Sequence, residues 1–333
     1  MTLVWVFVLA ALIIVIFGTL LTREADRLAD RTGLGEAVFG AVFLGASTSL
    51  SGSVASMVVA FQGFPELAAA NAVGGIAVQT FWLAVADMTY RRANLEHAAA
   101  SLENLLLGTL LVVLLAFPLV ARFVTDYTIF EIHPASLILF AAYAYGIRVV
   151  QKARAAPLWQ ARTTSETRED VPGKEHEMRT WVMWSRFTAL VLVAGISGYI
   201  VAQAGVELVQ RTGVSQNTVG AFITAVITSL PELVVTLAAV RQGALTLAVG
   251  GIIGGNSFDV LFLAFSDIAY RQGSIYHDMG GEQVLIITVS IAMAGILLMG
   301  LLRRERRGVA GIGFESVGIA LLYVGLLVFQ LVL

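Results

Sequence analysis

The sequence predicts an all-α membrane protein: ten transmembrane helices built as two inverted five-helix repeats. Three observations lead there. The 333 residues are 58% hydrophobic and 13% charged, with a mean hydropathy of +0.83, whereas a soluble domain carries about 25% charged residues. Ten apolar runs come close to the roughly 20 residues that a bilayer crossing needs. Two stretches of the chain also align with each other, without a gap, at an offset of 180 residues.

The runs lie at about 2–22, 36–62, 66–89, 98–121, 127–150, 180–204, 216–241, 245–269, 280–302 and 311–332. Lipid offers no partner to a backbone N–H or C=O, so each run is expected to be a helix. The first run has no basic start and no clear small-residue cleavage site, so it reads as a helix rather than a signal peptide. With no cysteine in the chain, disulfides and thiolate metal sites are excluded. The segment 23-READRLADRTG-33 is amphipathic and is expected at the cytoplasmic surface. Between the fifth and sixth runs lies the only long polar segment, residues 151–179, which contains Pro157 and Pro172. It reads as a cytoplasmic linker between two membrane halves, residues 1–150 and 180–333. Five crossings is an odd number, so the second half must enter the membrane upside down relative to the first, as in many transporters.

Charge orients the chain. With ten crossings, eighteen of the 21 Lys and Arg residues fall on one side, leaving only Arg122, Arg211 and Arg271 on the other. Cytoplasmic loops carry the excess, so both termini are expected to be non-cytoplasmic, in a cell inner or plasma membrane. The cluster Arg303, Arg304, Arg306 and Arg307 anchors that orientation, with anionic-lipid contact as a lesser reading. A net charge of −2 without a basic patch gives no nucleic-acid footprint. The expected partners are the lipid bilayer and inorganic cations.

The internal repeat locates the chemistry. From Leu28/Leu208 to His97/His277, 22 of 70 aligned positions are identical, including Gly74/Gly254, Asp87/Asp267 and Tyr90/Tyr270. Shared apolar residues alone would give roughly a tenth, so duplication is the better account. In the second copy Thr228, Ser229 and Glu232 share one side of a helix. Pro231 removes an N–H and opens the preceding turn, freeing carbonyl oxygens beside the carboxylate. Asn256 and Asp259 share a face of the next run, after a small-residue stripe of Gly250, Gly251, Gly254 and Gly255 that lets another helix approach. Oxygen ligands of this kind suit Na⁺ or Ca²⁺.

Each acid also has a structural reading, as a neutral group or a snorkelling surface residue. That reading is preferred for Asp87, Asp267, Glu66 and Glu103, which lie near run ends. A charge at mid-span costs about 2.5–3.5 kcal/mol on insertion scales, which favours function for Glu232 and Asp259. His97 and His277 are repeat mates at run ends and read as interfacial. Together with His133 and His176 they show no metal-binding spacing. No catalytic triad, phosphate loop or dinucleotide fingerprint is present, so the chain is not read as an enzyme and no cofactor is expected.

The strings TSLPEL (residues 228–233) and GGIIGGNSFDV (residues 250–260) resemble the second signature repeat of the sodium/calcium exchangers, within the cation/Ca²⁺ antiporter superfamily. Members resemble G-T-S-x-P-E followed by G-N-x-x-G-S-N-x-x-(N/D), and the spacing from Glu232 to Asp259 fits. The motif support covers about residues 25–97 and 205–277. The resemblance implies an antiporter fold, with Thr228, Ser229, Glu232 and Asp259 as ion ligands from the second half. It implies Na⁺, Ca²⁺ or H⁺ as transported ions, and Thr48, Ser49 and Gln79 as the facing positions of the first half. Asn256 completes the candidate set. The first copy departs from the pattern: the family's Pro-Glu is Ser51-Gly52, and Ile76 and Gln79 stand where the second copy has Asn256 and Asp259. A site short of one carboxylate loses more for a divalent than for a monovalent ion, because Coulomb energy scales with ion charge. The expected function is therefore secondary cation antiport by alternating access, exchanging Ca²⁺ or another cation for Na⁺ or H⁺. The alternative is a non-transporting membrane sensor or assembly relative with a half-lost site.

Overall fold

The computed structural model describes residues 2–32, 45–90, 92–125, 127–162, 164, 179–308 and 312–332. Most of the 151–179 linker, and residues 36–44 of the second apolar run, lie outside the described residues. In chain order the helices are α1 (Thr2–Thr32), α2 (Gly45–Thr48), α3 (Leu50–Phe61), α4 (Pro65–Thr89), α5 (Leu95–Ala99), α6 (Leu102–Ala121), α7 (Pro134–Ala155) and α8 (Thr180–Thr212). There follow α9 (Gln216–Val219), a π-helical turn (Gly220–Thr224), α10 (Ala225–Thr228), α11 (Leu230–Gln242), α12 (Leu245–Asp259), α13 (Leu261–Ala269), α14 (Ile275–Asp278), α15 (Gly281–Arg303) and α16 (Phe314–Val332). The only β pairing among the described residues is an isolated bridge between Ile129 and Ile132.

Among the described residues, seven helices are long and apolar enough to cross a membrane, or eight when the bent pair Gln216–Thr228 and Leu230–Gln242 counts as one span. Eight of the ten runs in the sequence are matched by these spans. The remainder are shorter pieces, Leu50–Phe61 and Phe314–Gln330. The chain is a multi-pass membrane protein. α1 runs unbroken from Thr2 to Thr32, so residues 23–32 of the amphipathic segment are the last turns of this long helix.

Two helical rods form the centre. In α4, 83% of the spanning window is buried, and in the α12–α13 rod 78% is, against 22% for α1. α4 reads as apolar and small-residued all round, with Ala68, Ala69, Ala70, Ala72, Gly74 and Gly75 all buried, as a helix enclosed by others must be. Small residues let backbones meet. A Cβ on Gly220 would lie 2.6 Å from Ala70 Cβ, so the π-helical turn crosses α4 only because position 220 is glycine. The glycine stripe of α12 is less uniform than expected. Gly250 is packed against Asn104, whereas Gly251 faces open space.

Both copies break their helix at the same place. Ser49 has φ −88° and ψ 6°, and its mate Ser229 has φ −96° and ψ 6°. In the second copy the axis bends by 44° across the break. The sequence assigned this opening to Pro231, but the first copy breaks identically with Ser51 in that position. The break therefore belongs to the repeat, and the proline accommodates it at the start of α11.

Asp87 and Asp267 tie the two halves together. Asp87 accepts from the amides of Leu95 (2.9 Å) and Gly313 (3.2 Å), and the Ser316 hydroxyl lies beside it. Asp267 accepts from the amides of Ile275 (3.2 Å) and His133 (2.8 Å) and from the Ser136 hydroxyl (2.7 Å). Leu95/Ile275, Gly313/His133 and Ser316/Ser136 are all 180 residues apart. His97 meets the carbonyl of Arg304 at 2.7 Å and His277 that of Val124 at 2.8 Å, again 180 apart. Each aspartate thus caps the short helix after its own rod and clips the last helix of the other half. At 1% and 0% exposure they are buried structural groups and do not snorkel. The two histidines likewise fasten backbone.

Candidate ion site

The breaks at Ser49 and Ser229 face α4 and the α12–α13 rod, and the polar side chains of both copies gather there. Thr48, Ser49, Gln79, Thr228, Ser229, Glu232, Asn256 and Asp259 are all buried. Gln79 donates its amide to Asp259 Oδ2 at 2.6 Å and to Ser229 Oγ at 3.2 Å. Ser49 Oγ donates to Glu232 Oε1 at 3.5 Å and is also within hydrogen-bonding reach of Asp259. Thr48 reaches Glu232. Six of the eight expected residues therefore form one connected network that crosses from one copy to the other.

The other two sit at its edge. Thr228 turns its hydroxyl back to the Ala225 carbonyl (3.3 Å), and its own carbonyl takes the Ser51 hydroxyl (3.4 Å). Asn256 gives its amide to Thr80 (2.9 Å) rather than to either acid.

Gly52 stands where the second copy has Glu232, and its space is already filled. A Cβ there would lie 2.9 Å from the Phe262 ring and 3.4 Å from Thr228 Oγ1. An aromatic ring from α13 therefore occupies the position of the missing acid. Sequence reasoning also missed Asn71, which stabilises the break from the first-copy side. Its amide donates to the Gly52 carbonyl (3.2 Å) and to Ser56 (2.8 Å), and it accepts from Thr224 (2.7 Å). A lone Asn within the alanine-rich α4 was the available signal, and its mate in the second copy is Gly251, so the repeat comparison hid it.

The oxygens left over indicate what the site can take. Gln79 Oε1, Glu232 Oε2, Asn256 Oδ1 and Asp259 Oδ1 are buried with no hydrogen-bond donor. Buried acceptors are normally satisfied, and hard oxygen donors suit Na⁺ or Ca²⁺. Among the described residues no group of three His, Cys, Asp or Glu side chains could hold a metal ion. A cation here would meet two carboxylates plus amide and hydroxyl oxygens.

The model of the family described as sodium/calcium exchanger protein matches residues 2–149 and 181–332, nearly the whole chain apart from the linker. The chain belongs to this family. Among relatives, the sodium/calcium exchanger MaX1 of Methanosarcina acetivorans is 34% identical over 119 residues, which is 34% of this chain and 32% of MaX1. The inner membrane protein YrbG of Escherichia coli is 29% identical over 126 residues, 38% of each chain. These two matches span only about a third of either relative. CaxA of Alkalimonas amylolytica is 26% identical over 309 residues, 91% of this chain and 92% of that one.

Solved structures share the fold. The H⁺/Ca²⁺ exchanger CAX superposes with a TM-score of 0.68 at 15% identity, covering 98% of this chain and 82% of that one. The sodium-calcium exchanger NCX_Mj gives 0.61 at 17% identity, covering 98% of both. The family is one of membrane transporters, which accords with the absence of enzyme motifs in the sequence.

Proposed function

We propose that the chain is a secondary active cation antiporter that moves Ca²⁺ or another cation against Na⁺ or H⁺ by alternating access. Its ion ligands are Glu232 and Asp259, with Ser49, Gln79, Thr48 and Ser229 around them and Thr228 and Asn256 at the rim. The single observation that carries this reading is the set of donor-less oxygens on Gln79, Glu232, Asn256 and Asp259, buried at the junction of the two copies. Midplane sites between inverted repeats at broken helices are the transporter pattern.

The same reading takes the chain as ten crossings in two inverted halves, 1–150 and 180–333, joined by a cytoplasmic linker at 151–179. Both termini are non-cytoplasmic, and the membrane is the cell inner membrane. Support comes from the matched contacts of Asp87 and Asp267 and from the one-sided arginines. The exchangers named above supply the ion classes. With one family carboxylate replaced by Gly52 and another position held by Gln79, the site carries at most two negative charges. That favours a lower-charge load than a four-acid site would bind.

The test is counter-flow in proteoliposomes. An imposed Na⁺ or H⁺ gradient should drive Ca²⁺, or another tested cation, against its own gradient. No gradient-driven flux of any cation, with no cation-dependent stabilisation, would leave the non-transporting relative as the reading.

A further inference from the structure

The two aspartate cradles differ in one respect. Around Asp267, position 276 is a tyrosine whose hydroxyl meets Ser136 at 2.8 Å, and position 135 is alanine. Around Asp87 the corresponding residues, 180 positions away, are Glu96 and Glu315. Neutral groups in one cradle are thus two carboxyls in the other, and each is only 1% exposed.

The carboxyls of Glu96 and Glu315 lie in hydrogen-bonding contact. Neither oxygen of Glu96 receives a hydrogen bond from another residue's N–H or O–H, and Glu315 Oε2 has no donor either. Asp87 is no help, because its oxygens are held by the amides of Leu95 and Gly313. The cations of α15 are engaged elsewhere. Arg303 pairs with Glu305 at 3.5 Å and lies over the Phe314 ring, and Arg304 donates to the His97 carbonyl at 3.1 Å. α12, also packed against α5, carries no charged side chain except Asp259 at its far end.

We propose that Glu96 keeps a proton and donates it to Glu315, a buried acid–carboxylate hydrogen bond that fastens α16 to the α4–α6 junction. This proton site is separate from the ion site. Two touching carboxyls out of water cannot both be ionised, and one shared proton gives each a partner. A metal ion is the poorer ligand here, since no metal-holding trio of acids or histidines occurs among the described residues. Burial raises the Glu96 carboxyl well above its usual 4.5, and the negative charges of Asp87 and Glu315 act in the same direction. A raised carboxyl stabilises the folded state fully below its ordinary value, and that contribution is lost as pH climbs through the raised one.

The experiment uses the full chain in detergent, in a background of Glu232→Gln and Asp259→Asn, so that the ion site contributes no titration. The melting temperature should fall as pH rises from about 5.5 to about 9. Glu96→Gln, and separately Glu315→Gln, should flatten that fall, because an amide supplies a permanent donor in place of the shared proton. In the same background an infrared C=O band of a protonated carboxyl should persist at neutral pH, and Glu315→Gln should remove it. The infrared readout stands even where Glu96→Gln fails to fold. An unchanged pH slope in both variants, or no protonated-carboxyl band in the background protein, overturns the proposal.

Discussion

Gln79 and Asp259 are repeat mates 180 residues apart, and they are hydrogen-bonded to each other at 2.6 Å. The two copies therefore meet where the first carries a carboxamide and the second an acid. The Gln79 N–H is held against one oxygen of Asp259, where a cation would otherwise be the natural counter-charge.

Replacing that amide by an acid should restore a divalent preference. Gln79→Asp places two carboxyls at this junction without an N–H between them. In the absence of ions the variant should melt below wild type, and Ca²⁺ should recover it more strongly than Na⁺ does. A preference shift of about 1–2 kcal/mol corresponds to roughly five- to thirtyfold. Thermal titrations with each ion measure it, and a wild-type ratio of Ca²⁺ to Na⁺ response would refute it.

Restoring the other acid, at Gly52, should fail for a steric reason. The Phe262 ring is already within 2.9 Å of where a Cβ would stand. Gly52→Ala alone should destabilise by about 1–3 kcal/mol through overpacking. The double variant Gly52→Ala, Phe262→Leu should recover more than half of that. Equal losses in the single and double variants would show that Phe262 is not the obstacle.

The cradles should be worth more than an average surface contact. Asp87→Asn and Asp267→Asn each set an N–H-bearing amide against buried donors, at a cost of about 1–3 kcal/mol per site. Denaturant or thermal unfolding in detergent reads this. A variant within error of wild type would mean that the amides of Leu95 and Gly313, or of Ile275 and His133, find other acceptors.

Much of this architecture was legible in the sequence because it is periodic and local. Apolar runs, the 180-residue repeat and the mid-span acids Glu232 and Asp259 are properties of a few neighbouring residues. What was not legible depended on distant partners. Phe262 fills the space beside Gly52 from another rod, and Asn71 braces the Gly52 carbonyl with no mate in the second copy. Asp87 and Asp267 looked like run-end residues at a membrane surface, since nothing local reveals that helices from the opposite half cover them. The helix break was legible through Pro231, but Ser49 breaks in the same way without a proline.

Orientation rests on the arginines. A cysteine placed at Ala156, exposed just beyond α7, should be inaccessible to a membrane-impermeant thiol reagent added outside intact cells and should react after permeabilisation. Labelling from outside would reverse the proposed topology.

Glu232 is the most direct test of the ion site. It is 5% exposed, accepts from Ser49, and has one oxygen without a donor. Glu232→Gln keeps the size and removes the charge. The measurement is the melting temperature of purified wild type and variant across Na⁺ and Ca²⁺ titrations, since a bound substrate ion stabilises by mass action. The predicted result is a wild-type protein stabilised by at least one of these ions. In Glu232→Gln the concentration required should rise by well over tenfold, because a lost charged ligand in a desolvated site costs a few kcal/mol. An ion response in Glu232→Gln indistinguishable from wild type would contradict the assignment of this junction as the transport site.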